Sequence, residues 1–390
     1  MKTSSRNPNS GRLTAVALLV LPLAVYALLY LMPIGSMIWL SLDNGELGRS
    51  LERFGESDAR DPDARAAALL ADMQAMNGRQ QGEAARALNQ EIAGFRTLFI
   101  STARKAGEIP PTMAGLTAFD ARWADQRFWD VLRDNAGSVT WRHFRKATGL
   151  DFDKDGRLGP YGDDIYMQVM LRTLVIAGQV TIVTLVIGYP LAYAAANASP
   201  KFAHFVLIAV LVSFWTSVLV RTTAWVILLQ TSGLVNTALV ALSIVDAPIQ
   251  LIFNRFGAIV SMTHVLLPFA IIPMMNVMRT IPKSQADASR ILGAGPIETF
   301  LRVYLPQTLR GVAVGGFTVF ILALGFYITP ALTGGPGDQM LSFYIADFVK
   351  KSLNWGMASA LSVLLLAAVL LLVGTFGLLN WATLRRKEPA

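Results

Sequence analysis

The sequence contains no cysteine among its 390 residues. Disulfides, thiolate metal sites and cysteine nucleophiles are therefore excluded. Histidine is also rare, and His143, His204 and His264 are too scattered to indicate a metal cluster by their spacing.

Common nucleotide-binding and hydrolytic motifs are also missing. No Gly-x-x-x-x-Gly-Lys-Ser/Thr loop occurs, nor any Gly-Lys pair, so the chain is not expected to bind ATP through such a loop. His-Glu-x-x-His and Gly-x-Ser-x-Gly are absent too. We predict that the chain is not an enzyme, that it has no cofactor of its own, and that any energy comes from another subunit.

Charge is scarce and unevenly placed. Only 15% of the residues are charged and 53% are hydrophobic, with a mean hydropathy of +0.46, whereas soluble domains average about 25% charged. Asp43 to Asp164 holds 17 bases and 20 acids, a net charge of −3; the remainder holds 17 bases and 6 acids, a net charge of +11. Those outlying bases lie beside apolar runs, which is typical of membrane-protein loops and argues against a nucleic-acid partner.

Long apolar runs dominate the rest of the chain. A helix needs about 20 apolar residues to cross a bilayer, and six runs qualify, the first of which is too long for a signal peptide and is expected to be an uncleaved anchor. The chain is therefore predicted to be an all-α integral membrane protein with six transmembrane helices. The predicted spans are Leu13–Leu42, Tyr166–Asn197, Phe202–Leu229, Gly257–Met278, Val312–Leu332 and Met357–Trp381.

Basic residues in the short loops predict the orientation. Lys201, the stretch from Arg279 to Arg310 and the basic tail outweigh Lys350 and Lys351 on the other side, so both termini are expected in the cytoplasm. The predicted regions are 1–42 with the first span, 43–165 as an insert on the outer side, 166–386 as a five-helix membrane core with a cytoplasmic loop at 281–311, and 387–390 as a tail.

The polar insert has a pattern of its own. Leu88, Ile92, Phe95 and Phe99 recur at helical spacing, and a second stripe contains Phe128, Trp129 and Leu132, so the insert is predicted to be mostly helical. A helical spacer without activity remains an equal alternative.

A possible calcium loop lies near the end of the insert. In a loop counted from Asp151, acids occupy positions 1, 3 and 5 and Gly156 occupies position 6, as in the first half of an EF-hand calcium loop. Position 12 is Gly162, where a glutamate is expected, so a solvated acidic turn is the alternative. The candidate ligands are Asp151, Asp153, Asp155 and Asp163.

The loop after the fourth span is predicted to form two short helices joined by a turn. Ser284 followed by Asp287 suits a capping box. Gly293 and Gly295 suit a helix end, and Pro296 suits the first position of the next helix. Such a thin helix fits a groove in another protein, while an amphipathic loop lying on lipid headgroups is the alternative.

This loop resembles the EAA loop of type I ABC importer permeases, through Asp287-Ala288-Ser289, then Gly293, then Leu305-Pro306. In that family the loop docks in a cleft of the ATP-binding subunit. Two departures are Asp287 in place of the usual Glu and Ser289 in place of the second Ala. The implied coupling residues are Ser284, Asp287, Ala288, Ser289, Leu292, Gly293 and Ala294.

Four further segments resemble the spermidine/putrescine branch of that family, so the likeness covers the chain from about Tyr166 to its end. They are Gly188–Ala194, Phe214–Trp225, His264–Phe269 and Gly325–Pro336. The insert matches none of them.

The resemblance implies the type I ABC importer permease fold in a bacterial inner membrane. The implied partners are cytoplasmic ATP-binding subunits, a second permease subunit, a periplasmic solute-binding protein and membrane lipid. A polyamine or similar small cation is the expected solute, with an opine, a phosphonate or an amino-acid-like compound as alternatives. Two other classes of protein fit less well. A membrane sensor would need a cytoplasmic output domain, and only short cytoplasmic segments are predicted here. A secondary transporter usually carries acids within its spans, and the predicted spans contain none.

A translocation pathway is expected around the third and fifth spans. Arg221 places a charge in or beside the membrane, where it needs water or a partner, unless it reaches the headgroups. Trp215 suits either an aromatic belt or a cation-binding wall. Tyr327, Thr329 and Pro330 follow Gly325 in the predicted fifth span and are the first choice for a gate.

Overall fold

The computed structural model describes residues 8–58, 60–152, 158–160 and 164–385. The chain forms two compact units. The insert unit comprises Met1–Asp163 with Ser352–Leu364, and the bundle unit comprises Asp164–Lys351 with Leu365–Ala390. Each unit has its own apolar core.

The insert unit begins with one long apolar helix and continues as a set of short helices. Side-chain caps set several of their starts: Asp61 accepts from two backbone amides, and Asn77 and Gln80 form a capping box. The helices are α1 Pro8–Leu42, α2 Gly45–Ser50, α3 Glu52–Glu56, α4 Pro62–Ala75, α5 Gly78–Glu91, α6 Phe95–Arg104, α7 Met113–Phe119, a 3-10 turn Ala121–Ala124, α8 Gln126–Asn135 and α9 Arg142–Thr148. A hairpin of β1 Leu150–Phe152 and β2 Leu158–Pro160 follows.

Large aromatic side chains fill the insert core. Trp123 and Trp129 are buried with ring centroids 5.4 Å apart, and Phe128 and Leu132 are buried beside Trp129 on α8, as the second stripe predicted. The first stripe also supplies core residues. It is divided between α5 and α6, because the chain turns at Gly94, whose φ of +88° is a backbone conformation that suits glycine.

The bundle unit consists of long apolar helices connected by shorter ones. They are α10 Ile165–Asn197, α11 Pro200–Trp215, α12 Val218–Leu229, α13 Leu234–Ala241, α14 Arg255–Arg279, α15 Lys283–Ile291, α16 Pro296–Thr299, a π turn Phe300–Tyr304, α17 Leu305–Leu324, α18 Ile328–Thr333, a 3-10 turn Pro336–Asp338, α19 Leu341–Asp347, a π turn Phe348–Ser352 and α20 Trp355–Arg385.

Small residues bring the central helices α10, α14 and α17 close together. A Cβ added at Gly315 on α17 would lie 3.0 Å from the carbonyl oxygen of Ala270 on α14. One added at Gly311 would lie 3.0 Å from the Cβ of Val277. Membrane helices pack through such small residues because lipid offers little hydrophobic drive for their association.

Six described helical segments are long and apolar enough to cross a membrane, as predicted. They are Pro22–Leu42, Ile165–Asn197, Val218–Ala241, Arg255–Arg279, Pro296–Leu324 and Trp355–Leu378. The third and the fifth differ most from the predicted bounds.

The predicted third span, Phe202–Leu229, is two helices. α11 ends at Trp215, where the hydroxyl of Thr216 bonds to the carbonyl of Val212, and α12 starts at Val218. The N–H of Thr216 donates to the same carbonyl and makes the last helical hydrogen bond of α11. The span at this point in the chain begins at Val218, sixteen residues later than predicted, and extends to Ala241. It consists of α12 and α13, which are joined by residues 230–233.

The predicted fifth span, Val312–Leu332, was also placed too late in the chain. The helix begins at Pro296 and ends at Leu324, and α18 is a separate helix. Pro330 lies in the first turn of α18, where a proline removes no helical hydrogen bond. The predicted gate residues therefore follow a break in the membrane helix.

Candidate functional site

The predicted two-helix loop is present in the bundle unit, but its first helix starts differently. α15 begins at Lys283, with Pro282 at the capping position and no side-chain cap. The predicted capping box of Ser284 and Asp287 is therefore wrong. Ser284 lies inside the helix, and Asp287 is too far along it to reach the free amides of the first turn.

The end of α15 follows the prediction. Gly293 has a φ of +92° and its N–H donates to the carbonyl of Arg290, while Ala294 donates to Ser289. Pro296 then opens α16. The left-handed residue closes one helix so that the next can start three residues later.

A hydrogen bond that the sequence did not reveal joins the two loop helices. The hydroxyls of Ser289 on α15 and Thr299 on α16 are 2.7 Å apart, and Thr299 is buried. Ser289 is the residue that departs from the usual alanine. Its hydroxyl links α15 to the start of the following membrane helix.

Most of the surface of α15 is exposed. No residue of the helix is buried, and Asp287, Ala288 and Gly293 are exposed. At its end, Ile291 and Leu292 are 86% and 88% exposed. Exposed aliphatic side chains of this size often mark a protein-binding surface. Together with the small residues of α15, they could be buried in a groove of a partner protein.

The loop is tied to α10 by an aromatic cluster. The ring of Tyr193 lies 5.8 Å from that of Phe300 and 5.3 Å from that of Tyr304, both edge-on. The amide of Asn197 donates to the hydroxyl of Tyr304 at 2.9 Å. Phe300–Tyr304 is the π turn between α16 and α17, a geometry that often marks functional positions.

A second polar site lies where α12, α14 and α18 pack together. Arg221 is only 7% exposed, and its Nε and Nη1 atoms have no hydrogen-bond partner among the described residues. The adjacent Thr222 hydroxyl lies 3.2 Å from that of Thr329 on α18. One turn after Arg221, the indole of Trp225 donates to His264 on α14 at 3.1 Å.

The predicted pathway residues are only partly brought together. Thr329 and Pro330 are buried on α18, and Thr329 meets the helix that carries Arg221. Tyr327 is half-buried, and its hydroxyl accepts from Lys350 at 3.2 Å. Trp215 is 85% exposed at the end of α11, which favours a belt position over a buried wall. The roles of these residues stay predictions.

The candidate calcium ligands fall mostly outside the described residues. Asp153, Asp155 and Asp163 lie in the gaps, and Asp151 accepts from Arg145 at 3.0 Å. Within the described residues, no group of three or more His, Cys, Asp or Glu side chains suits a metal ion. Calcium binding stays a prediction, and calorimetric titration of calcium into the full chain tests it.

Comparison with known proteins gives one consistent result. Spermidine/putrescine transport system permease protein PotB from Haemophilus influenzae is 31% identical over 224 residues, covering 57% of this chain and 78% of that protein. PotB from Escherichia coli K12 is 30% identical, covering 54% and 78%. Inner membrane ABC transporter permease protein YdcU from the same strain is 32% identical, covering 54% and 71%.

The matching family covers residues 185–382, which contain the loop helix α15, the π turn and the Arg221 site. The chain therefore belongs to the family of binding-protein-dependent transport system inner membrane components.

Proposed function

We propose that this ABC importer permease subunit moves a small solute by alternating access, driven by ATP hydrolysis on a separate subunit that grips α15. The single observation that carries the proposal is the exposed face of α15, which presents Asp287 and Ala288 and, at its end, Ile291 and Leu292. Binding energy that differs between the inward-open and outward-open states performs the switching.

The other parts of the assembly follow from the same family. A periplasmic binding protein delivers the solute and a second permease subunit completes the pathway. Both termini and the α15 loop lie on the cytoplasmic side, as the basic residues of the loops indicate. Ser284, Ser289 and Ala294 help to shape the docking surface, and Ser289 does so through its bond to Thr299.

Two glycines of the loop provide a matched test of coupling. Gly293 has a φ of +92° and Gly295 has a φ of −68°, and at neither would an added Cβ meet an atom within 4 Å. Gly293→Ala is therefore expected to cost about 1–2 kcal/mol in backbone strain, which distorts the end of α15, whereas Gly295→Ala leaves the backbone unchanged. The measurement is solute-stimulated ATPase activity of the complete importer in proteoliposomes.

We expect Gly293→Ala to lower the stimulated activity and Gly295→Ala to keep it. Asp287→Arg, on the exposed face, is expected to release the ATPase from the membrane complex. Normal stimulation in both Gly293→Ala and Asp287→Arg would mean that α15 is not the coupling helix.

A polyamine is the first candidate solute. Its support is the name of the PotB relatives, at 30–31% identity over 78% of their length.

A solute with a carboxylate or phosphonate group is the second candidate, and Arg221 favours it. The Nε and Nη1 atoms of its guanidinium are buried without a hydrogen-bond partner among the described residues. Glu298 is the only acid within the six spans, and it pairs with Arg302 at 2.8 Å. A polyamine passing through this subunit would find no free carboxylate in its described spans, whereas an anionic group would find Arg221.

Uptake by the reconstituted importer separates the two candidates. Radiolabelled putrescine and spermidine are compared with an amino-acid-like competitor and with a small phosphonate. If only polyamines are taken up, the anionic solute is rejected. If polyamines are not taken up, the first candidate is rejected and the permease assignment stands.

A further inference from the structure

The insert is held directly against the end of the first span by backbone pairing. The N–H of Thr140 donates to the carbonyl of Leu42 at 2.7 Å, and the N–H of Asn44 donates to the carbonyl of Ser138 at 3.2 Å. Between them, Asp43 and Val139 form an antiparallel bridge. The segment 138–141 therefore runs back alongside the last residues of α1.

This pairing sets the depth of the segment relative to the bilayer. No charged residue lies between Arg12 and Asp43, so the apolar run of α1 ends at Leu42 and a charged residue follows at once, whereas a hydrocarbon core about 30 Å thick disfavours charge. Leu42 therefore lies at the edge of that core. Because the pairing is antiparallel and neighbouring strands lie about 4.8 Å apart, Val139 lies beside Asp43 and Trp141 lies closer to the lipid.

Both of these side chains are exposed. Val139 is 54% and Trp141 is 65% exposed, with Trp141 supported by Phe144 at 5.8 Å between ring centroids. In the described part of the insert, the other large hydrophobic side chains that are exposed are Leu150, just after α9, and Ile165, where α10 begins. The insert buries Trp123 and Trp129 in its core. Its exposed side chains Val139 and Trp141 lie at the level of the lipid headgroups.

The start of the last span repeats the arrangement within the same unit. Gln90 donates to the carbonyl of Ser352 at 3.0 Å and accepts from Asn354 at 3.2 Å. Leu353 and Trp355, on either side of Asn354, are more than half exposed. Tryptophan is enriched at membrane interfaces, where its apolar ring and polar N–H meet different surroundings.

We propose that the insert lies on the lipid headgroup layer at the Leu42 end of the first span, with Val139 and Trp141 inserted into it. The insert is thus a membrane-surface domain fixed beside the ends of the first and last spans, and the bilayer supplies the partner for its exposed apolar patch. The proposal is independent of the solute.

The cysteine-free sequence allows a site-specific test. Val139→Cys and Trp141→Cys are each labelled with an environment-sensitive fluorophore in the full chain. The protein is then reconstituted in phosphatidylethanolamine–phosphatidylglycerol vesicles, with and without spin-labelled quencher lipids. The control is Glu108→Cys, an exposed position beyond the far end of α6.

We expect quencher lipids to lower the fluorescence at positions 139 and 141 roughly twofold or more, as for groups buried in the headgroup region, and to leave position 108 unchanged. Equal quenching at all three positions, or none at 139 and 141, would overturn the proposal. A change at 139 and 141 only when a binding protein is added would also overturn it, by assigning the patch to a protein partner. Unchanged thermal unfolding of the labelled chains shows that the insert is still folded.

Discussion

The insert and the membrane bundle pack their helices with side chains of opposite size, large in the insert and small in the bundle. The insert core is built from large aromatic residues, and its tryptophans also use their N–H groups, since Trp123 donates to Thr102 and Trp129 donates to the carbonyl of Trp123. The bundle instead brings helix backbones together at Gly311 and Gly315. Water drives the burial of large apolar surfaces in the insert, whereas lipid gives no such drive to the bundle.

The largest expected effect lies in the insert core. Trp123→Ala removes a buried ring and the donor to Thr102, and is expected to cost about 3–5 kcal/mol, enough to unfold the insert without preventing membrane insertion. Limited proteolysis of the full chain in vesicles measures this. Trp141→Ala, at an exposed position, is the matched control, and equal sensitivity of the two variants would break the comparison.

The corresponding change in the bundle adds a side chain where there is no room. Gly315→Leu places a Cβ 3.0 Å from the carbonyl oxygen of Ala270 and separates α17 from α14. Overpacking of this kind costs about 1–3 kcal/mol, and we expect lower uptake and a lower unfolding temperature of the bundle. Gly374→Leu, with nothing within 4 Å of its added Cβ, is the control. Tolerance at Gly315 would show that close helix approach is not what holds the bundle.

The insert is expected to respond to mild acid. Burial, together with Arg142 and Lys146, lowers the pKa of His143 to about 3. An unfolded histidine takes up a proton near pH 6.5 and the folded one does not, so stability is full above that pH and falls as the pH drops towards 3. The loss at pH 5 is about 2 kcal/mol.

Thermal unfolding of the full chain at pH 7.5 and pH 5 measures this dependence. His143→Gln is expected to flatten it, whatever its effect at pH 7.5. The exposed His204 provides the matched variant, His204→Gln, which should keep the wild-type slope. An unchanged slope in His143→Gln would assign the acid sensitivity to other groups.

The smallest expected effect concerns the loop. Ser289→Ala removes the bond to Thr299 and restores the residue usual in the family, at a cost of about 1 kcal/mol. Stimulated ATPase activity is expected to fall less than in Gly293→Ala, and Thr299→Ser, which keeps a hydroxyl, should retain it. Equal losses in Ser289→Ala and Thr299→Ser would mean that side-chain volume matters at this position, not the hydrogen bond.

Hydropathy predicted the number of spans well because a bilayer imposes a minimum apolar length on each helix. It misplaced the third and fifth spans because the helix ends at Trp215 and Leu324 fall inside apolar runs, where hydropathy alone does not mark them. The turn at Gly293 was predictable, since a glycine after a helix is a local signal. The contact of Ser289 with Thr299 and the burial of Arg221 depend on how helices meet, which spacing along one chain does not contain.

The exposed pair Ile291 and Leu292 also bears on how many copies of this protein a cell keeps. Each aliphatic side chain held in water lacks about 1.5–3 kcal/mol of the free energy that full burial would provide. A chain without the proposed ATP-binding subunit would therefore expose an apolar patch at Ile291 and Leu292. Proteases and chaperones that survey for such surfaces would find orphan chains and overlook assembled ones. The pair that we propose to dock on the ATP-binding subunit would thus also mark chains that lack this subunit, and we expect it to keep subunit numbers in balance.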